Sequence, residues 1–238
     1  MLESVRSEDV LFLDIETVPD QPSFADISPE MQALWDKKSQ YFRNDEESAA
    51  EVYGRAGIYA EFGKIVCISV GIIVIRDGKR IFRLKSFAGV DEAALLKEFK
   101  QMLEHRANAS KNMCGHNARE FDFPFIARRM LIHGIKLPKV LDVAGKKPWE
   151  VKFLDTLDLW KFGDYKHYTS LNLLTTIFNI PSPKDDIDGS QVAAVFYEER
   201  DVDRIARYCE KDVLATAQLF LRFKGEDLIE EDAVETVI

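Results

Sequence analysis

The chain has 238 residues, 46% of them hydrophobic, with 12 glycines and 8 prolines, which excludes a disordered or fibrous protein and leaves room for one large domain or two small ones. No stretch approaches the roughly 18 consecutive apolar residues of a membrane span, and the opening MLESVRSEDV carries acidic residues without an apolar core, so no secretory signal is expected. The formal net charge of -9 excludes a protein that coats nucleic acid, because such binders carry a basic footprint, whereas an enzyme gripping only a strand end stays compatible, since cations at a carboxylate cluster reverse the local field.

Residues 9–16 (DVLFLDIE) form an apolar run ending in two carboxylates, the pattern of a buried central strand. Residues 20–62 are mixed, with acidic runs and helical patterning from Met31 to Tyr41, and read as an insertion within one domain spanning 1–225. GKIVCISVGIIVI, the turn Asp77-Gly78 and KRIFRLKSF then predict a β-hairpin. A helix follows over Asp91 to His105, with Asp91 as N-cap. KNMCG (111–115) is a short strand leading into HNAREFD, and a helix runs from Asp122 to Ile132 with Pro124 in its first turn. Segments 151–161 and 169–179 supply further strands and helices, and the last long helix spans 201–223. The acidic tail, 226–238, carries no clear pattern. Strands alternating with helices imply an α/β fold, a mixed sheet covered by helices. The cysteines, Cys67, Cys114 and Cys209, are odd in number and lack metal-ligand spacing, so they read as reduced thiols of a cytoplasmic protein.

Carboxylates stand out in three places. On a strand, Asp14 and Glu16 project from one face together with Phe12, while Leu11, Leu13 and Ile15 take the other; a pair of solvated charges opening a loop before Pro19 has the same sequence. Asp122 precedes a proline-containing first turn and fits an ordinary N-cap equally well. Tyr208 and Asp212 are four apart and stack on one helix face. They border an apolar stripe of Val202, Ala206, Cys209, Val213, Ala217 and Phe220, opposite a solvent arc of Asp203, Arg204, Arg207, Glu210 and Lys211. Asp212 is therefore at least half-buried and needs either a cation or a basic side chain.

Phosphodiester hydrolysis gives these pieces a common purpose. It requires an activated water and stabilisation of the leaving oxygen, which two Mg²⁺ ions supply together. An acidic cluster without histidine or cysteine spacing suits Mg²⁺ or Mn²⁺.

The order DIE, N-x-x-x-F-D and Y-x-x-x-D resembles the exonuclease motifs of the DEDD superfamily in its tyrosine-bearing branch. FGKIVCISVG, HNAREFDFPFIARR, LDTLDLW, SLNLLTTIFNIPSPKDDIDGSQV and IARYCEKDVLATAQLFLRF are similar to predicted 3′→5′ exonucleases related to the proofreading domain of family-B DNA polymerases, so the resemblance spans residues 10 to 223. It implies a ribonuclease H-like fold with a mixed five-stranded sheet, and a two-metal 3′→5′ exonuclease releasing nucleoside monophosphates from single-stranded DNA or RNA, with DNA favoured. By that resemblance Asp14, Glu16 and Asp212 bind the metal that activates water. Asp14 also bridges to a second metal supported by Asp122, Tyr208 orients the attacking water, and Thr17, Asn117 and Phe121 line the pocket of the 3′-terminal nucleotide. Arg207 stands where the histidine branch places its histidine, which favours the tyrosine branch. His116 is expected to be structural or substrate-adjacent, and Lys161, Lys166 and His167 either touch phosphates or form a solvated turn. With no polymerase segment recognisable, the chain is expected to stand alone or to join a larger repair or replication assembly. Two other readings share the fold class: an inactive nucleic-acid- or protein-binding module, and a metal-dependent phosphoesterase acting on free nucleotides. A complete set of four acids and the tyrosine favours the nuclease.

Overall fold

The computed structural model describes residues 2–106, 112–164, 168–181 and 187–237. Its centre is β1 (Val10–Pro19), whose alternation is decisive. Leu11, Leu13 and Ile15 are buried on one face, in the larger core with α2 (Glu92–Arg106) and α3 (Asp122–Ile132). Val10 and Phe12 are fully buried on the other, against Val213, Ala217 and Phe220 of α7 (Val202–Lys224). Each such aliphatic or aromatic side chain contributes about 1.5–3 kcal/mol by leaving water, so a one-residue slip of β1 would exchange both faces and is strongly disfavoured.

β2 (Gly63–Arg76) and β3 (Lys79–Ala88) form the expected hairpin. Asp77 and Gly78 both adopt positive φ, 53° and 76°, the requirement of the two-residue turn whose twist matches the strands. Asp91 Oδ1 accepts from the Ala94 N–H at 3.0 Å, so the predicted cap starts α2. β4 (Asn112–Gly115) lies parallel to β1 on its other side, and β5 (Phe153–Asp155) parallel to β4. The short α4 (Thr156–Lys161) and α5 (Leu171–Ile177) complete the flank. α6 (Val192–Ala194), continued by a π turn over Val195–Glu199, leads into α7.

Two expectations are corrected. Among the described residues the sheet has six strands, in the order β5-β4-β1-β2-β3-β6, where five were expected. The extra strand, β6 (Val234–Thr236), comes from the acidic tail and pairs parallel with Phe82–Leu84. Its charges meet basic partners on the hairpin: Arg76 binds Glu235 at 2.8 Å and Arg80 binds Glu226 at 2.8 Å. Asp14 and Glu16 also do not end β1. The strand runs on to Pro19, because β2 keeps pairing with it through Thr17, Val18 and Pro19 after a bulge between Glu16 and Thr17.

Residues 20–62 carry α1 (Pro29–Ser39), capped by Ser28, and an aromatic cluster around the fully buried Trp35. Trp35 Nε1 donates to Ala49 O at 2.8 Å, and the Arg129 guanidinium reaches back to Ala60 O at 2.9 Å. Among the described residues no helix is long and apolar enough to cross a membrane.

Candidate active site

β1 sits where the sheet changes character, antiparallel to β2 on one side and parallel to β4 on the other. Pairing with β4 covers only Val10 to Phe12, because β4 stops at Gly115 and the chain turns away. Gly115 is required there: a Cβ on it would lie 2.4 Å from the Ala118 Cβ and 3.0 Å from Leu13 O. Beyond this split β4 offers the buried Ile15 N–H no partner, and such a donor must find an acceptor. Asp122 Oδ1 supplies it at 3.1 Å. Asp122 is therefore no ordinary cap. Phe121 holds the N-cap position, and Asp122, 3% exposed, ties the start of α3 to the middle of β1.

Glu16 is buried and Asp14 partly so, on the face of β1 turned toward α7. The Cys209 thiol of α7 donates to Asp14 O and Asp14 Oδ2, both at 3.4 Å, and ligand atoms of Asp14, Glu16 and Cys209 lie within 4.8 Å of one another. Tyr208 is partly buried beside Cys209, and Asp212 partly buried one turn on. Burial pushes the Asp14 carboxyl well above the ordinary carboxylate range, and the charges of Asp122, Asp212 and Glu16 push it further. Glu16 is raised by burial first, then by the neighbouring Asp212, Cys67 and Asp122. Asp122 is raised to about 7 by burial and by the charges of Asp155 and Asp212, against the pull of backbone N–H groups. Four carboxylates from three distant segments thus share one electrostatic neighbourhood. None of the described residues offers a lysine or arginine to Asp14, Glu16 or Asp122.

The three expected pocket residues flank these acids in the chain. Thr17, partly buried, follows the bulge directly. Asn117 adopts φ 62°, a left-handed conformation that asparagine tolerates, and its side-chain amide makes no hydrogen bond with the described residues. Phe121 is partly buried, its ring 5.4 Å from that of Phe125.

Sequence reasoning missed Asp155. Its carboxylate accepts from the backbone N–H groups of Asn117, Arg119 and Leu157, each at 2.9 Å, so it caps α4 and fixes the turn that leads to Asp122. The only signal was an aspartate before a helical pattern in LDTLDLW. Cys209 was also missed, because it reads as a core residue of the α7 stripe. His116 is structural, as one of its two expected roles had it: Nδ1 meets Thr156 Oγ1 and Nε2 meets Thr169 O, both at 2.9 Å. Lys161 pairs with Asp158 at 3.3 Å, while Lys166 and His167 fall outside the described residues.

The fold of the chain is shared with part of a solved polymerase. It aligns with the family B DNA polymerase from the hyperthermophilic archaeon Pyrobaculum calidifontis at a TM-score of 0.53 and 17% identity, over 90% of this chain. The chain spans only 24% of that polymerase, and at this identity the likeness speaks for the fold. No curated protein matches it. A family described as predicted 3′-5′ exonucleases related to the exonuclease domain of PolB matches residues 58–236. That span holds Asn117, Phe121, Asp122, Tyr208 and Asp212, while Asp14, Glu16 and Thr17 precede it and join the site through β1. The chain belongs to this family of predicted 3′-5′ exonucleases.

Proposed function

We propose that the chain is a 3′→5′ exonuclease that hydrolyses the terminal phosphodiester of single-stranded nucleic acid, DNA by preference, and releases nucleoside 5′-monophosphates. The observation that carries this is the convergence of Asp14, Glu16, Asp122 and Asp212 with no basic residue of the described chain on the first three. Buried carboxylates that repel one another call for a cation from outside. Oxygen-rich ligands suit Mg²⁺ or Mn²⁺, and Asp14, Glu16, Asp122 and Asp212 would hold two such ions. When bound, the ions supply charge stabilisation for the leaving oxygen and a lowered pKa for water.

The remaining work falls to the protein. Tyr208 orients the attacking water from the α7 turn preceding Asp212. Cys209 holds the Asp14 carboxylate by its thiol and so limits the directions in which its free oxygen faces. Asp155 fixes the turn carrying Asn117, whose amide, without a hydrogen bond among the described residues, would meet the sugar or base of the last nucleotide together with Phe121 and Thr17. Water is kept from the rear of the site by Val18, Val66 and Ile205.

The test is incubation of 5′-end-labelled single-stranded DNA and RNA with the protein and Mg²⁺ or Mn²⁺. Stepwise shortening from the 3′ end, with mononucleotide products and arrest by EDTA, is expected. Binding without cleavage would indicate an inactive module of the same fold, and turnover of free nucleotides alone a phosphoesterase. Internal cuts would exclude an end-directed enzyme.

A further inference from the structure

Beside the acidic site stands an aromatic side chain whose position no packing requirement explains. Tyr168 is 64% exposed and its hydroxyl makes no hydrogen bond with the described residues. Its ring rests edge-on against the His116 imidazole, with centroids 6.2 Å apart and an interplanar angle of 70°. His116 is a fixed support, since both its nitrogens are engaged and burial holds its pKa below the usual histidine value. It directly follows β4 and directly precedes Asn117, near the end of the sheet where Asp122 accepts from the Ile15 N–H of β1. The Tyr168 phenol accordingly feels that site: after burial, the charges of Asp122, Asp14, Asp155 and Asp212 raise its pKa.

The electrostatics explain what such a ring is for. A polyanion approaching a chain of net charge -9 gains little from the protein's field, so its binding must draw on contacts indifferent to charge. Base–aromatic stacking is such a contact and accepts every base. A largely exposed ring, backed by His116 beside the turn that leads to Asp122, suits it.

We propose that Tyr168 is a substrate-binding residue that stacks on a nucleobase at the 3′ end of the strand, with His116 as its backing. This rests on the nuclease reading of the acidic cluster, and it makes single strands with accessible bases the favoured substrate class. The experiment compares wild type, Tyr168→Ala, Tyr168→Phe and Tyr168→Trp on a single-stranded oligonucleotide and on the same strand with its two 3′-terminal residues abasic. Tyr168→Ala is expected to raise KM about tenfold, with kcat changing less, while Phe and Trp retain wild-type KM. The abasic end should raise KM for wild type but add little for Tyr168→Ala. An unchanged KM in a folded Tyr168→Ala protein would overturn the proposal, as would equal loss in the Ala and Phe variants, or an abasic penalty undiminished in Tyr168→Ala. Absence of any cleavage by wild type would instead sink the nuclease reading and this inference with it.

Discussion

Two groups of buried carboxylates in this molecule face the same physical problem and meet it differently. Glu92, buried in the first turn of α2, has its oxygens bonded by Arg129 Nε at 2.9 Å and Nη2 at 2.5 Å, by His133 Nε2 at 2.7 Å and by the Ile65 N–H at 2.8 Å. Those partners outweigh burial and hold its carboxyl below the ordinary range. Asp14, Glu16 and Asp122 are raised above that range, with backbone N–H groups and one thiol as their donors and further acids as neighbours. One carboxylate is neutralised from within the chain. The other cluster finds no such basic partner among the described residues.

The sharpest way to break that contrast is by deletion. Asp14→Ala or Asp212→Ala should cut exonuclease activity by at least about 10²-fold, because a misplaced reacting group alone has that effect, yet leave the fold intact, as judged by circular dichroism and melting. Unfolding of these variants would put the cluster in the same structural class as Glu92. The converse substitution, Arg129→Ala, strands a buried carboxylate and frees Ala60 O. It should destabilise the protein by about 3 kcal/mol or more in denaturant titration, while activity per folded molecule stays near wild type. If the protein tolerates Arg129→Ala, the internal neutralisation described for Glu92 is not what stabilises that region.

Metal linkage sharpens the comparison further. Mn²⁺ or Mg²⁺ at about 100 times Kd should stabilise wild type by roughly 2.7 kcal/mol and leave Asp14→Ala nearly unmoved in a thermal-shift assay. Equal shifts in both would mean that the ion binds elsewhere. The smallest effect expected is on pH dependence. Folded Asp122 keeps its proton up to about 7, whereas an unfolded aspartate releases it near 3.8. Between those values the native state binds more protons, so its contribution is full at acid pH and is lost as pH rises through 7. Metal-free wild type should therefore lose melting temperature over that window more steeply than Asp122→Asn. Parallel curves would show that Asp122 is not buried among like charges.

Much of this architecture is legible in the chain because it depends on near neighbours. The alternation of β1, the Asp77-Gly78 turn and the Asp91 cap each rest on a few adjacent residues, and the structure keeps them. The α7 stripe is legible in outline, but its N-terminal phase is not: Ile205 is fully buried where Val202 and Ala206 are only partly so. What escapes local reading is set by distant partners. β1 continues past Glu16 only because β2 follows it around a bulge, and three residues of tail become a strand only because β3 offers a free edge about 150 positions earlier. The site divides along the same line. Its acids were found by motif order and family resemblance, whereas Asp155 and Tyr168 act through contacts that no spacing encodes.

The tail strand has a consequence for how the molecule behaves in company. β3 would otherwise offer Phe82 to Leu84 as unmatched donors and acceptors, an invitation to another chain's strand. β6 occupies that berth, and the Val237 N–H extends the seal by donating to Leu84 O at 2.7 Å. Shortened versions ending at Gly225 should therefore clump at concentrations where the longer chain stays monodisperse, a behaviour light scattering reads directly.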